Sequence, residues 1–189
     1  MTLYRTVEPA GEPVTLADVK AQLRVAHDSE DALISGLIKA ARAEVEAQTG
    51  MALIDQTWRL AMDCWPYSRL VRLRRHPVKE ILSVTVYGEE GEGAVLDPSS
   101  YEVDLVSRPA RLHFVSPPAP ERRLNGIEVD FTAGFGEAGT DVPDQLRRAV
   151  LMLTAHWYEF RAAFGAQDRP ASIPAGFDRL IAGYRTGRL

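Results

Sequence analysis

The feature that most constrains the fold of this chain is a strand pattern that leads directly into a long amphipathic helix pattern. Apolar residues alternate at Ile127, Val129 and Phe131, which predicts a strand with one buried face. A glycine-rich turn ends the strand, and Asp141 and Pro143 then supply the N-cap and first turn of a helix. That helix, predicted to end at about residue 163, has an apolar stripe of Leu146, Val150, Leu153, Trp157, Phe160 and Phe164. The pattern indicates a scaffold element without catalytic residues.

Two further helices are predicted nearer the N-terminus. Thr15 and Asp18 form the capping-box pattern of a short first helix. A longer second helix begins at Asp28 or Ser29 and ends at Gly50. Its apolar stripe consists of Ile34, Leu37, Ile38, Ala41 and Val45. Because a helix with one apolar stripe is stable only when the stripe is covered, we expect the second and third helices to pack against each other.

The middle of the chain, residues 53–133, changes from a helical period to a period of two. Three strands are predicted from alternating apolar residues: Trp58, Leu60 and Met62; Leu82, Val84 and Val86; Tyr101, Val103 and Leu105. Closely spaced glycines at residues 88–93 predict a hairpin tip, and prolines at residues 117–120 predict a stiff loop. Residues 1–14 hold little pattern and are interpreted as an N-terminal arm.

The predicted fold class is α+β, with a helical bundle core of about four helices. An antiparallel β subdomain is inserted between the second and third helices. One domain is expected over residues 1–189, with helices at about 15–50 and 142–184 and the β insertion at about 53–133. The last short helix, about 174–184, follows chain-breaking prolines.

Composition argues against several classes of protein. The net charge of −4 provides no overall basic field for nucleic acid. A single cysteine, Cys64, excludes an internal disulfide and fits a reducing compartment. No apolar run approaches the roughly 18 residues of a membrane span, and the N-terminus lacks the apolar core of a signal peptide. We therefore expect a protein made and kept inside a cell, or inside a particle assembled there, without a membrane partner.

The motif content predicts no catalytic, metal or cofactor site. The sequence contains no nucleophile elbow, phosphate-binding loop, dinucleotide-binding glycine motif or His-Glu-x-x-His zinc motif. The histidines are scattered, and His156 lies at the edge of the third helix's stripe, where it either contacts another surface or is satisfied locally. Carboxylates at Glu89, Glu90 and Glu92 would repel a phosphate at the hairpin tip and lack the ligand rhythm of a calcium loop.

Two segments are candidates for partner contact. Arg72 and Arg74, within the basic run from Arg69 to Lys79, alternate with apolar residues and project from one strand face. DNA contact, an acidic protein partner and a solvated strand face all fit them. The last helix has an apolar face formed by Phe177, Leu180, Ile181 and Tyr184. Such a short helix packs within its own protein or docks into a groove on another one.

Several separated strings resemble one family, the head–tail connector (adaptor) proteins of long-tailed phages and gene transfer agents. They are Thr-Leu-Ala-Asp-Val-Lys-Ala-Gln-Leu-Arg-Val at 15–25, Asp-Ala-Leu-Ile-Ser-Gly-Leu-Ile-Lys-Ala-Ala at 31–41, Glu-Ala-Gln-Thr-Gly-Met-Ala-Leu-Ile-Asp-Gln-Thr-Trp at 46–58, His-Pro-Val at 76–78, Pro-Ala-Arg-Leu at 109–112, Phe-Thr-Ala-Gly-Phe-Gly at 131–136 and Ala-His-Trp-Tyr-Glu at 155–159. Each string alone is weak, but their order and spacing together are specific. The resemblance covers the chain from Val14 to Tyr184 and leaves residues 160–173 and the arm unanchored.

The resemblance implies a structural function with no catalysis and no cofactor. It implies a homo-oligomeric ring, twelve-fold to match the portal protein, which extends the DNA channel without sequence-specific DNA binding. It also implies a next head-completion (stopper) or tail protein as partner, and a place in a virion or phage-like particle assembled in the bacterial cytoplasm. In such a ring the acidic hairpin tip can touch the next subunit. The resemblance favours portal docking by the last helix, with Arg185 and Arg188 as polar anchors.

Two other function classes stay open on the sequence. A small enzyme would need a deep polar pocket with a strongly perturbed carboxylate or histidine. A DNA-binding regulator or other interaction module would need an exposed basic helix, and the third helix has only Arg147 and Arg148 near its start.

Overall fold

The computed structural model describes residues 1–160 and 173–185, and it is α+β as predicted. The helices are α1 (Leu16–Leu23), α2 (Asp31–Thr49), α3 (Asp144–Glu159) and α4 (Phe177–Ile181). The strands are β1 (Thr2–Val7), β2 (Gln56–Met62), β3 (Leu70–Leu73), β4 (Val78–Tyr87), β5 (Gly93–Val95), β6 (Tyr101–Asp104), β7 (Ala110–Phe114) and β8 (Ile127–Ala133). These elements divide between a β unit, Met1–Ala10 with Asp55–Phe135, and a helical unit, Gly11–Ile54 with the described residues from Gly136 onward.

The β unit contains two antiparallel sheets. The larger has the strand order β1-β2-β8-β4-β5 and the smaller has the order β3-β7-β6. The predicted alternation of β8 is confirmed, since Ile127, Val129 and Phe131 are fully buried while the residues between them are half-exposed. The predicted hairpin is also confirmed, because β4 and β5 pair from Thr85 to Tyr87 on either side of the glycine-rich tip.

The N-terminal residues differ from the expected arm. Residues 2–7 form β1, which pairs with β2 so that Leu3 lies opposite Leu60 and Tyr4 lies opposite Arg59. Threonine, tyrosine and valine favour strands, and the segment adds to the free edge of β2. The chain therefore enters the β unit before it forms any helix.

Three strand residues that were predicted to be buried are exposed instead. Leu82 is 49% exposed because a bulge between Ile81 and Ser83 shifts the pairing register of β4. Val103 and Leu105 are 43% and 38% exposed, and Leu105 lies beyond the end of β6 at Asp104. The period of two locates these strands, but it does not show that these three side chains are exposed to solvent.

The helical unit confirms both N-terminal helices and their packing. Thr15 caps α1, and its side chain accepts from the Asp18 amide while Asp18 accepts from the Thr15 amide. The second helix begins at Asp31 rather than at residue 28 or 29, and Gly50 ends it in the left-handed conformation. As predicted, α2 packs against α3.

A network of hydrogen bonds between charged and backbone groups in the helical unit joins α2 to the segments that precede and follow it. Arg42 donates to Glu12 at 2.8 Å and to Glu46 at 3.1 Å. The other oxygen of Glu46 accepts from the backbone amide of Leu53 at 2.9 Å. Arg42 and Glu46 are both buried, where an unpaired charge would be strongly destabilising, and these contacts compensate both charges. They also hold the segments before and after α2 to that helix.

The third helix begins and ends differently from the prediction. It starts at Asp144 with Pro143 as N-cap, and Asp141 instead accepts from the Ala138 amide in the preceding 3-10 turn. Near its end the buried position is Tyr158, whose hydroxyl donates to Glu30, while Phe160 is 48% exposed. Leu146, Val150 and Leu153 of the predicted stripe are buried, so the prediction is wrong only in the last turn, where Tyr158 is buried in place of Trp157 and Phe160; Phe164 lies outside the described residues.

Candidate partner-binding surfaces

The described residues contain no cluster of side chains suited to a metal ion. Across residues 1–160 and 173–185, no group of three or more His, Cys, Asp or Glu side chains is placed to hold a metal ion. No helix in this part of the chain is long and apolar enough to cross a membrane. The surfaces of the two units are therefore the features to compare with the predicted partner-binding residues.

Two apolar residues of the C-terminal segment are buried inside the helical unit. Phe177 and Ile181 are fully buried, and α4 packs against α3. Leu180 and Tyr184 are half-buried, so part of each side chain faces solvent. The structure thus assigns inward packing, rather than partner contact, to Phe177 and Ile181.

Arg185 is exposed but already engaged. One guanidinium nitrogen lies 2.5 Å from the Gln48 side-chain oxygen and 2.6 Å from Asp178. Partner binding by this arginine would have to add to these contacts or replace them. The other predicted anchor, Arg188, lies outside the described residues.

Several residues of the basic run in the β unit are engaged within the unit. Arg69 donates to the Val115 carbonyl, Arg75 lies 4.5 Å from the centre of the Trp58 ring, and Lys79 forms a 2.6 Å ion pair with Asp55. His76 is buried. These four side chains are therefore occupied by contacts or burial inside the β unit.

Arg72 and Arg74 are exposed while the alternate residues Val71 and Leu73 are buried, which confirms that both arginines project from one face. Among the described residues neither guanidinium has a hydrogen bond or an ion pair. Arg72 also lies opposite Arg111 in the β3–β7 pairing, and Arg111 is neutralised by Asp104 at 2.8 Å. Two uncompensated positive charges therefore lie together at one end of β3.

These arginines line a concave surface. A cavity of about 260 Å³ is bounded by Met1, Leu3, Leu60, Arg72 and Arg74. An adjoining cavity of about 210 Å³ shares Met1, Arg72 and Arg74 and is otherwise lined by residues of the segment 66–71 and by Pro109. No carboxylate of residues 1–160 or 173–185 lines either cavity, so the surface combines positive charge with apolar walls.

The outer face of the larger sheet has charges that are compensated. Arg59 makes two hydrogen bonds to Asp130, at 2.7 and 2.8 Å, and an ion pair with Glu128 at 2.9 Å. The hydrogen bonds to Asp130 raise the pKa of Arg59 further above its usual value. Tyr87 donates to Glu128 at 2.8 Å, and this bond raises the pKa of its hydroxyl. This network stabilises the sheet and leaves none of these charges available for a partner.

The hairpin tip between β4 and β5 is negatively charged, whereas the arginine cavity is positively charged. Glu89, Glu90 and Glu92 are exposed, and none of their carboxylates has a hydrogen bond or an ion pair within the part of the chain that the structure describes. The turn is closed by the Gly88 amide, which donates to the Glu92 carbonyl at 3.0 Å. The tip therefore presents three carboxylates, none with a described partner, on a short turn.

An open apolar groove lies on the same side as this hairpin. It has a volume of about 320 Å³ and is lined by residues of β4 (79–83), by Val95 and Leu96 at the end of β5 and after it, and by Pro98, Tyr101, Val103 and Leu105. This surface was not predicted from the sequence, because alternation assigns Leu82, Val103 and Leu105 to the core. The positions of Met1 and Leu3 beside the arginines were not predicted either, although the strand-favouring composition of residues 2–7 was available as a signal.

Two histidines, one in each unit, have buried ring nitrogens without a hydrogen-bond partner among the described residues. The His156 ring stacks on Phe160 with centroids 4.6 Å apart, and its Nε2 atom is buried with no hydrogen-bond partner in residues 1–160 or 173–185. Both ring nitrogens of His76 are likewise buried without a partner in those ranges. Burial lowers the pKa of His76, and the positive charges of Arg108 and Arg75 lower it further.

Comparison with known proteins gives one family and a set of similar solved structures. Residues 12–168 match the model of the family described as head completion protein. A chain in the neck of an empty gene transfer agent (GTA) particle, computed with C6 symmetry, is 27% identical with a TM-score of 0.83. A chain of the virion of a native GTA particle is 28% identical with a TM-score of 0.81, and one from a native neck computed with C12 symmetry is 28% identical with a TM-score of 0.80. Each similarity covers 100% of this chain and 97% of the other. No curated protein matches the sequence.

Proposed function

This chain belongs to the head completion protein family, and from that premise we propose how it works as a head–tail connector of a phage-like particle. The observation that carries this function is the similarity to GTA neck chains along 100% of the sequence, at identities of 27% and 28%. Its role is structural, and it is a component of the particle rather than of the surrounding cell.

In the proposed arrangement, many copies form a closed ring beneath the portal protein. The ring extends the DNA channel and offers a platform for a stopper or tail protein. Twelve copies are proposed because a similar neck chain comes from a structure computed with C12 symmetry. DNA passes through without sequence-specific binding, no reaction is catalysed, and the particle is assembled in the bacterial cytoplasm. The net charge of −4 supports passage of DNA, since phosphate binding depends on cationic contacts.

For the architecture of each subunit we propose a helical core with an inserted β subdomain, within one domain spanning residues 1–189. The packing of α2 against α3 and of α3 against α4 supports the helical core. The position of β2 to β8 between α2 and α3 in the chain supports the insertion, to which β1 adds one strand.

A deletion of the gene tests the function itself. Cells lacking the protein should accumulate DNA-filled heads and free tails, with few joined particles in electron micrographs. Expression of the wild-type protein should restore the joined particles. Normal particles in the deletion strain would contradict the connector function.

We propose that the exposed parts of Leu180 and Tyr184, together with Arg185, dock on the portal. The double variant Leu180→Asp/Tyr184→Asp should remain folded and should lower portal binding by about tenfold, because two charges would enter an apolar contact. Leu33→Asp is a matched control, since Leu33 is an exposed leucine elsewhere in the helical unit. Equal binding by the wild type and the double variant would remove this segment from the portal interface.

A further inference from the structure

The two lateral edges of the β unit are chemically different. In one sheet β1 and β5 are the edge strands, and in the other β3 and β6 are the edge strands. The arginine cavity brings β1 together with β3, while the apolar groove brings β4 and β5 together with β6. The unit therefore has a β1/β3 edge and, on its opposite side, a β5/β6 edge.

The β1/β3 edge is basic and concave. Arg72 and Arg74 project there with no partner among the described residues, beside the apolar side chains of Met1, Leu3 and Leu60. Other arginines of the unit, such as Arg59 and Arg111, are neutralised by carboxylates. Two free guanidinium groups above apolar walls form a site for an anionic group carried on a protein surface.

The β5/β6 edge is acidic and projecting. The hairpin that forms this edge ends in Glu89, Glu90 and Glu92, whose carboxylates have no partner in the described part of the chain. Behind the tip lies the open groove with exposed Leu82, at 49%, and Val95, at 68%. This edge thus offers three carboxylates next to apolar surface, the chemical complement of the opposite edge.

These two edges cannot satisfy each other within one subunit, because the strands β2, β8 and β4 separate β1 from β5 in the larger sheet. A second copy of the chain can supply the missing charges. A closed ring needs two different complementary surfaces on every subunit, and opposite edges of one sheet provide such a pair.

We infer that the acidic hairpin tip of residues 88–92 in one copy docks onto the cavity of Arg72 and Arg74 in the next copy around the ring. This assignment rests on the proposed ring and deepens it by naming both sides of the subunit contact. The carboxylates bind the two guanidinium groups, and the apolar surfaces beside them are covered at the same time. The charges select one neighbour and one direction around the ring, since tip against tip and cavity against cavity are repulsive.

A charge-swap experiment tests the contact. Wild-type protein and variants are each co-expressed with the portal, and assembled rings are counted by negative-stain imaging and mass measurement. The variants are Arg72→Glu/Arg74→Glu, Glu89→Lys/Glu90→Lys/Glu92→Lys, and the combination of all five substitutions. Arg123→Glu/Arg148→Glu controls for the change in net charge at two other exposed arginines. Circular dichroism confirms that each variant is folded.

Each single-edge variant should lose assembled rings by roughly tenfold or more, and the combined variant should recover them because complementarity returns at every contact. Loss without recovery in the combined variant would overturn the pairing of these two edges. Rings in all variants would overturn the contact while leaving the connector ring intact.

Two further outcomes distinguish failure of the ring from DNA binding by the arginines. If the wild type itself forms no ring on the portal, the ring in the proposed function fails together with this contact. If Arg72→Glu/Arg74→Glu still forms rings but loses binding to a fluorescent DNA duplex at low salt, the arginines bind phosphate and the subunit contact is overturned.

Discussion

Gly134, at the end of the strand that opens the sequence pattern, lies against the backbone of Asp55. A Cβ atom built at Gly134 would stand 2.5 Å from both the amide nitrogen and the Cα of Asp55. The Asp55 carboxylate oxygen, at 2.3 Å, can rotate away, but the two backbone atoms cannot, so Gly134→Ala should lower the free energy of unfolding by about 1–3 kcal/mol. Urea denaturation followed by circular dichroism measures this change.

The control for Gly134→Ala is Gly36→Ala. Gly36 lies within α2, and a Cβ atom built there would have no neighbour within 4 Å among the residues that the structure describes. This variant should stabilise the protein by up to about 1 kcal/mol, because alanine is the better helix former. A neutral Gly134→Ala would show that the end of β8 shifts easily and would contradict the close backbone contact.

His76 should make stability depend on pH. Burial, followed by the charges of Arg108 and Arg75, lowers its pKa in the folded protein. Between the unfolded value of about 6.5 and the lower folded value, the unfolded chain binds more protons, so stability decreases as the pH falls. Above about pH 6.5 the group is neutral in both states, and its contribution is fully present.

The measurement is the free energy of unfolding of wild-type and His76→Phe protein between about pH 5 and pH 8. The variant should show a shallower loss of stability on acidification, by at most about 1.4 kcal/mol per pH unit. The same slope in His76→Phe and wild type would mean that His76 titrates normally when folded.

Among the elements, α1 depends on its capping box. Thr15→Ala removes the oxygen that accepts from the Asp18 amide at 3.0 Å and should lower stability by about 1 kcal/mol. Thr15→Ser keeps a hydroxyl in the same place and should lose much less. Thermal unfolding of the three proteins compares them, and equal melting temperatures would show that α1 is held by packing alone.

The C-terminal helix should contribute stability through its buried face. Phe177→Ala should lower the free energy of unfolding by about 3 kcal/mol or more, because Phe177 is fully buried where α4 packs on α3. Arg179→Ala, at an exposed position of the same helix, should change it by less than about 0.5 kcal/mol. A small effect of Phe177→Ala on urea denaturation would indicate that α4 detaches readily from the helical unit.

Local sequence signals predicted the elements whose ends are made by side chains or glycine. The capping box at Thr15 and the stop at Gly50 are encoded by neighbouring residues, and both are confirmed. The bulge that exposes Leu82 depends on pairing with β8, far along the chain, so the local alternation could not reveal it. Asp141 is a different case, because it closes a short turn by accepting from the Ala138 amide three residues earlier, and this local alternative competes with capping of α3.

For the candidate surfaces, the sequence identified the residues but did not show which side chains are buried or paired within the protein. Arg72 and Arg74 were distinguished by alternation, but whether they have a partner in the described part of the chain depends on where distant carboxylates such as Asp55 and Asp104 lie. Phe177 and Ile181 form an apolar face that fits either internal packing or docking. Only the packing against α3 decides between the two for those side chains.

At the scale of the whole molecule, residues 12–168 match the head completion protein family. The two opposite edges of the β unit carry opposite charges. A head–tail connector has to assemble in one direction and at one copy number. Unlike edges provide direction, because only one of the possible edge pairings is attractive.

The most direct test of the connector function is co-expression with the portal protein encoded in the same genome, followed by light-scattering mass and negative-stain imaging of the purified complex. We predict a portal with one added ring of this protein, twelve copies in all, coaxial with the channel. A portal without added mass, alongside free monomer, would contradict the connector function.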